Sequence, residues 1–330
     1  MDHSPPPDGT VSFFIVGSAR SGTTLVQRLA CEIAGVGMPP ETHFFPAFAS
    51  GLIDRRTFPL VGEDLLSEVR NFVDLDSSKG LVLDPMSVVD DLGGTCRSPY
   101  GMFEAIVRAL VGPSEVYGEK TPGHILWWPP ILKAAPWTRF VAVVRDPRAV
   151  VASGLSMPWT DQEDLNSIGG QIHLGLAARW KVDQQALSQL VQVVGSRGCL
   201  VLRYEDVVVD PDAARRRIAE MIGRDPTEKR LTPHGDFVLP WEHWKTEALG
   251  DVTTDRTEGS WERSLSPEQA RQIEAICWAG MRRYGYSKGT SGLLEAVAGR
   301  SRLNRKVSRE LDRFFEKYGA YRQYIATLEL

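Results

Sequence analysis

The stretch that most constrains the fold is an apolar run followed by a glycine-rich loop and a helical pattern. Residues 11–16 (VSFFIV) predict a buried strand, residues 17–24 (GSARSGTT) have the Gly-x4-Gly spacing of a phosphate-binding loop, and residues 24–34 predict a helix. Continuously apolar strands are typical of parallel sheets. We therefore expect a P-loop-type, three-layer α/β/α fold with a central, mainly parallel sheet, helical insertions and a C-terminal helical extension.

The loop lacks the lysine that usually contacts the terminal phosphates of ATP or GTP, because Thr23 stands at that position. A γ-phosphoryl group carries several negative charges, which P-loop enzymes neutralise with this lysine and Mg²⁺. A sulfuryl group on a 5′-phosphate carries only one negative charge and would need neither. The loop therefore predicts a nucleotide ligand other than a triphosphate.

A second anion site is indicated at residues 143–153 (VVRDPRAVVAS), after a predicted strand at 140–144. Arg145 and Arg148 bracket Asp146, so an anion is favoured over Mg²⁺ at this strand end. We interpret Asp146 as orienting Arg145 or capping the next helix. Ser153 is placed to share one anion with Arg145. Two anion sites predict a ligand with two separate phosphate groups.

These motifs, in this order, resemble those of sulfotransferases that use 3′-phosphoadenosine 5′-phosphosulfate (PAPS). The pattern is more similar to bacterial small-molecule and carbohydrate enzymes and to protein-tyrosine sulfotransferases than to cytosolic drug-metabolising ones. It covers roughly residues 11–288, and Ala19 departs from the proline that is common in the loop. The matching segments are GSARSGTTL, ETHFF, EKTPGH, VVRDPRAVVAS, RYEDVVVDP and TEGSW.

The resemblance implies roles for particular residues. The loop that would bind the 5′-phosphosulfate comprises Arg20, Ser21, Gly22, Thr23 and Thr24. The 3′-phosphate site would comprise Arg145 and Ser153, with Tyr204 near the adenosine, and a late nucleotide-binding loop would contain Thr257, Gly259 and Trp261. Ser260 stands where related enzymes often have a basic residue, so Arg256 or Arg263 would have to supply that charge.

The resemblance also implies an in-line transfer. Glu41 would accept the proton of the acceptor hydroxyl, with His43 as the second candidate base. Lys120 and Arg20 would stabilise the charge that develops on the departing phosphate oxygen. We expect no metal, and the products would be a sulfate ester and adenosine 3′,5′-bisphosphate.

The acceptor is expected to be a hydroxyl on a small molecule, such as a natural product, a carbohydrate or a glycolipid. Aromatic residues that could line its pocket or pack in the core are Phe44, Phe45, Phe48, Trp127, Trp128 and Trp159, and Trp241, His243 and Trp244 could close over it. One alternative function is a P-loop kinase or nucleotide phosphotransferase that uses ATP and Mg²⁺. Another is a nucleotide-binding scaffold without catalysis.

The composition excludes several other classes of protein. The net charge of -4 gives no reason to expect nucleic acid as a partner. Cysteines 31, 96, 199 and 277 form no CxxC pair, so neither a zinc site nor a disulfide framework is expected. The polar, proline-containing start is unlike a signal peptide, and no apolar run reaches the about 18 residues of a membrane span. We therefore expect a cytoplasmic protein.

Three segments are predicted: a flexible leader at residues 1–10, a sulfotransferase domain at 11–290 and an amphipathic helical extension at 291–330. The extension has apolar residues at helical spacing between basic ones. It is expected to pack on the domain or on a second subunit, which would make a homo-oligomer. A membrane surface or another anionic partner is the alternative.

Overall fold

A sheet of parallel strands organises the fold. A computed structural model describes residues 6–157, 168–228, 260–286 and 305–330 of the chain. The sheet has the order β2-β5-β1-β6-β7, and every neighbouring pair is parallel. Its strands are β1 (Val11–Gly17), β2 (Val36–Gly37), β5 (Val116–Lys120), β6 (Arg139–Val144) and β7 (Cys199–Arg203), and a separate antiparallel pair is β3 (Leu60–Val61) and β4 (Thr95–Cys96).

The helices follow the strands along the chain. They are α1 (Thr23–Cys31), α2 (Ser50–Arg55), α3 (Gly62–Val73), α4 (Pro85–Asp91), α5 (Pro99–Val111), α6 (Trp128–Ala134), α7 (Pro147–Leu155), α8 (Ile172–Gly198), α9 (Tyr204–Val209), α10 (Pro211–Ile222), α11 (Pro267–Arg283) and α12 (Arg305–Thr327). Single 3₁₀ turns lie at Asp76–Ser78, Pro122–Leu126 and Ser260–Arg263, and a π-helical turn lies at Phe45–Ala49.

Successive side chains of β1 point to opposite faces of the sheet, as strand geometry requires. Phe13 and Ile15 belong to a core that includes apolar residues of α1 and α10. Phe14 and Val16 belong to a larger core on the other face, which includes residues of α5 and α8. Helices therefore cover both faces, and the predicted three-layer α/β/α architecture is confirmed.

Helix starts were predictable where a capping side chain precedes a proline. Asp210 accepts a hydrogen bond from the Ala213 N–H at the start of α10. Ser266 forms a capping box with Gln269 at the start of α11. The scattered Gly, Pro and Asp of residues 77–95 predict a region rich in loops, but the structure also has α4 and the start of β4 there. Strand β5 was not predicted.

The C-terminal helix α12 packs against its own domain. Val307, Leu311 and Ile325 are buried, and the helix contacts α6 and α8. An Arg179 guanidinium N–H donates to the Tyr318 hydroxyl at 3.1 Å. Of the predicted extension, residues 305–330 pack on the domain, while its boundary at 291 and the association of two copies through it stay predictions. No helix in the described ranges combines the length and apolar character needed to cross a bilayer.

Candidate active site

The register of the parallel strands brings the predicted motifs to one edge of the sheet. Ile15 pairs with Lys120, and Gly17 pairs with Val143. Val144 pairs with Arg203, the residue before Tyr204. Because the carboxyl ends of parallel strands meet at the same edge, the loops after β1, β5, β6 and β7 all lie at this edge of the sheet.

The glycine loop presents an uncapped helix terminus. Gly22 has φ 91° and precedes α1, and as a glycine it has no side chain to cap the amino end of that helix. The backbone of Arg20 also has positive φ, 69°. Ser21, Thr23 and Thr24 are buried around the turn. Free backbone N–H groups together with the helix dipole favour an anion at this position.

Arg145 links the two predicted phosphate motifs. Its guanidinium donates to the Arg20 carbonyl at 3.2 Å and lies 4.3 Å from the centroid of the Tyr204 ring. The Arg20 Nε donates to the Ser153 hydroxyl at 3.1 Å. Burial lowers the pKa of Arg145, yet its guanidinium stays charged near neutral pH. The structure therefore places Arg20, Arg145, Ser153 and Tyr204 in one cluster, which we call the anion cluster.

Two glycines, Gly17 and Gly22, are sterically required beside the anion cluster. A Cβ at Gly22 would lie 2.2 Å from the Tyr204 ring, and a Cβ at Gly17 would lie 2.4 Å from the Val143 carbonyl oxygen. The loop after β1 thus packs directly against β6 and the start of α9. This close approach explains the positions of both glycines in the motif.

Asp146 caps helix α7, as one of its two interpretations proposed. Its carboxylate accepts from the Arg148 backbone N–H at 2.8 Å and forms a salt bridge with the Arg148 guanidinium at 2.6 Å. Arg148 also pairs with Glu274 and lies 4.4 Å from the Trp261 ring centroid. Arg148 is therefore engaged by these groups, and Trp261 packs on it. Thr257 and Gly259 lie outside the described residues.

The two candidate bases and Lys120 meet at the end of β5. Lys120 ends β5 with a fully buried side chain and forms an ion pair with Glu41. His43 Nε2 lies 3.2 Å from the other carboxylate oxygen of Glu41. Glu41 is itself only 8% exposed, whereas the His43 side chain is 37% exposed. A solvated surface position is thereby excluded for Glu41 and Lys120.

Most of the aromatic residues considered for an acceptor pocket are core residues. Phe44, Phe45, Phe48 and Trp127 are at most 3% exposed and pack among one another, and Trp128 is partly buried against the same core. Trp159, Trp241, His243 and Trp244 lie outside the described residues.

Two residues beside the site were given no role from the sequence. Trp180 of α8 donates its indole N–H to the Arg145 carbonyl at 3.1 Å, and so helps to hold the anion cluster. Glu119 is fully buried beneath the loop that carries Glu41. No pattern in VYGEK pointed to this role of Glu119, because the loop that it contacts comes from a distant part of the sequence.

The chain was compared with known protein families and solved structures. The family model described as "Sulfotransferase family" matches residues 12–228, more than half of the chain, so the chain belongs to that family. It is therefore a sulfotransferase of the PAPS-dependent class, as the two phosphate motifs indicate.

Two solved structures share the fold at low sequence identity. The sulfotransferase domain of the curacin biosynthetic pathway has a TM-score of 0.53 and 18% identity, over 81% of this chain and 96% of its own. The sulfotransferase domain of the Synechococcus PCC 7002 olefin synthase has a TM-score of 0.52 and 20% identity, over 87% of this chain and 98% of its own. The sequence matches no curated protein.

Proposed function

We propose that this protein transfers the sulfuryl group of PAPS to a hydroxyl of a small molecule, with Glu41 as the general base. The observation that carries the proposal is the convergence of two sets of residues at one sheet edge. The anion cluster lies beside the uncapped amino end of α1, and Lys120 ends the neighbouring strand in an ion pair with Glu41.

The residues fit the two phosphates of PAPS. The free N–H groups at the start of α1 suit the 5′-phosphosulfate, and Arg145 with Ser153 suits the 3′-phosphate. The Tyr204 ring packs between Gly22 and the Arg145 guanidinium. In this position the ring would also contact the adenosine. A fixed guanidinium with an aromatic neighbour is a common arrangement for recognising phosphate.

Glu41 is better placed than His43 to act as the base. The Glu41 side chain is only 11% exposed and is held in an ion pair with Lys120, the residue proposed to stabilise the leaving group, whereas the His43 side chain is 37% exposed. As the acceptor oxygen bonds to sulfur, its proton passes to Glu41 and the bond from sulfur to the 5′-phosphate oxygen breaks. Lys120 and Arg20 then stabilise the negative charge on that oxygen. His43 lies next to Glu41 and orients its second carboxylate oxygen.

The acceptor we propose is a hydroxyl of a natural product, a carbohydrate or a glycolipid. The two structures with the same fold come from a biosynthetic pathway and an olefin synthase, which supports a natural-product acceptor. The kinase alternative is not favoured, because the matched family is one of sulfotransferases and Thr23 replaces the phosphate-binding lysine.

Nucleotide binding is the first test. Thermal unfolding is measured with adenosine 3′,5′-bisphosphate, with adenosine 5′-phosphate, and with ATP in the presence and absence of Mg²⁺. A ligand of the folded state adds about 2.7 kcal/mol of stability at a hundredfold excess over Kd. We expect a large, metal-independent shift with the bisphosphate and a small one with the monophosphate. A shift with ATP and Mg²⁺ alone would instead support the kinase.

The base is tested by substitution once an acceptor is found by screening hydroxyl compounds for formation of the bisphosphate from PAPS. Glu41→Gln should lower kcat about a hundredfold or more without weakening nucleotide binding. His43→Asn should lower it much less. Glu104→Gln is the matched control, since this partly buried glutamate binds the Val11 backbone N–H at the start of β1. Equal losses in the Glu41 and Glu104 variants would reject Glu41 as the base.

A further inference from the structure

A fully buried carboxylate lies beneath the loop that carries Glu41. Glu119 Oε1 accepts three hydrogen bonds: from the Thr42 backbone N–H at 3.2 Å, from the Thr42 hydroxyl at 3.0 Å and from the Thr121 hydroxyl at 2.7 Å. The Thr121 hydroxyl in turn accepts from the His43 backbone N–H at 3.2 Å. Glu119 and Thr121 thus satisfy two consecutive N–H groups of the loop at residues 41–43.

The other oxygen of Glu119 faces a buried histidine. His124 Nδ1 lies 2.8 Å from Glu119 Oε2, and neither side chain is exposed. The His124 ring packs edge-on against Phe45, with 4.8 Å between the ring centroids. Burial alone would raise the pKa of Glu119, but its electrostatic interaction with His124 and the hydrogen bonds from Thr121 and Thr42 lower the pKa below its ordinary value. The carboxylate is therefore ionised at neutral pH.

The geometry of strand β5 explains why the adjacent residues Glu119 and Lys120 contact different parts of the same loop. Glu119 and Lys120 are successive residues of β5, so their side chains point to opposite faces. Lys120 reaches the carboxylate of Glu41, while Glu119 reaches the backbone of the residues that follow Glu41. The end of β5 thus binds both the Glu41 side chain and the backbone of residues 42–43.

We propose that Glu119 is a positioning residue, which fixes the backbone of residues 42–43 through Thr42 and Thr121 and so holds Glu41 against Lys120. This inference rests on the proposed function of Glu41 as the base. The loop needs such support because His43 has a positive φ of 49°, a conformation that is strained for a residue other than glycine. A displacement of about 1 Å in a reacting group can lower a rate by about a hundredfold.

The experiment compares two variants within this network with two matched controls outside it. Thr121→Val removes the hydroxyl that joins Glu119 to the His43 N–H, and Glu119→Gln removes the charge without changing the shape. The controls are Thr138→Val, another threonine only 1% exposed, and Glu104→Gln. Thr138 and the Glu104 contact lie at the amino ends of β6 and β1, at the opposite edge of the sheet.

Two measurements separate a positioning role from a general structural one. The first is hydrogen–deuterium exchange of the Thr42 and His43 backbone amides, which requires no activity. The second is kcat together with the Kd for adenosine 3′,5′-bisphosphate. We expect both network variants to exchange these amides faster and to lose about tenfold or more in kcat, with Kd unchanged. The controls should keep the exchange rates and kcat, even where their thermal stability falls.

Exchange rates in the network variants that match those of the controls would overturn the inference, and so would a loss of kcat and nucleotide affinity in parallel. If the wild-type protein exchanges slowly at these amides but transfers no sulfuryl group, the proposed function fails while the role of Glu119 in holding the loop stands. The two failures are therefore distinguishable.

Discussion

Substituting Gly22 should damage nucleotide binding through Tyr204. In Gly22→Ala the new Cβ would lie 2.2 Å and 2.6 Å from two carbons of the Tyr204 ring, whereas ordinary contact begins at 3.4 Å. The Tyr204 ring must therefore move by more than about 1 Å. The glycine loop cannot move instead, because its own turn holds it in place. The ring would then leave its place beside the Arg145 guanidinium, now 4.3 Å from its centroid.

The magnitude follows from the contact that is lost. A guanidinium over an aromatic ring contributes about 0.5–2 kcal/mol, so we expect the affinity for adenosine 3′,5′-bisphosphate to fall by a factor of about 2 to 30. A second cost arises because Gly22 has φ 91°, where an L-residue is strained by about 1–2 kcal/mol. This strain lowers stability rather than affinity.

A matched glycine separates the two effects. Gly93 also has a positive φ, 58°, but a Cβ added there would meet no atom within 4 Å. Gly93→Ala should therefore lower the melting temperature while leaving nucleotide affinity unchanged. Calorimetric titration of both variants with the bisphosphate decides the matter. Equal affinities in the two alanine variants would refute the argument that Tyr204 is held in place by Gly22.

Two further predictions concern stability. The bonds from Arg55 and Arg56 outweigh burial and lower the pKa of Glu68 from 4.5 to about 2, so its contribution is present above pH 4.5 and is lost as the pH falls through about 2. Urea titration gives the difference in unfolding free energy between the wild type and Glu68→Gln. This difference should shrink by at most about 3 kcal/mol over that range, and a difference that does not change with pH would contradict the prediction. Tyr318→Phe should cost about 1 kcal/mol, because Arg179 loses its hydroxyl partner on α12; an unchanged urea midpoint would show that this bond contributes nothing.

The parts of the site that were predictable are those encoded by neighbouring residues. The spacing of residues 17–24 predicts a phosphate-binding loop, because the turn, the glycines and the helix start all lie within this one segment. The motif at 143–153 is local in the same way. The sequence predicted two anion sites, one in the loop with Arg20 and one at Arg145 and Ser153, and only the structure shows the hydrogen bonds that join them.

Strand β5 shows why the rest was not predictable. Its sequence, VYGEK, contains two charged residues, and an isolated strand with such residues would be expected at a surface. It is instead a central strand, because Glu41 and Lys120 neutralise each other and Glu119 is satisfied by Thr42, Thr121 and His124. Thr121 and His124 are neighbours of Glu119 in the sequence, but Glu41 and Thr42 come from a distant segment, so no local pattern reveals those contacts.

The sequence by itself determined the class of the fold and the phosphate motifs, because each depends on periodicity or on spacing within one short segment. The two candidate bases followed from the resemblance to the family. The tertiary structure decided which residues meet. The parallel register set Lys120 beside the strand that leads into the glycine loop, and the packing of the elements buried Phe44 and Phe45 in the core. Burial makes each charged group depend on a partner, and that partner is chosen by the fold.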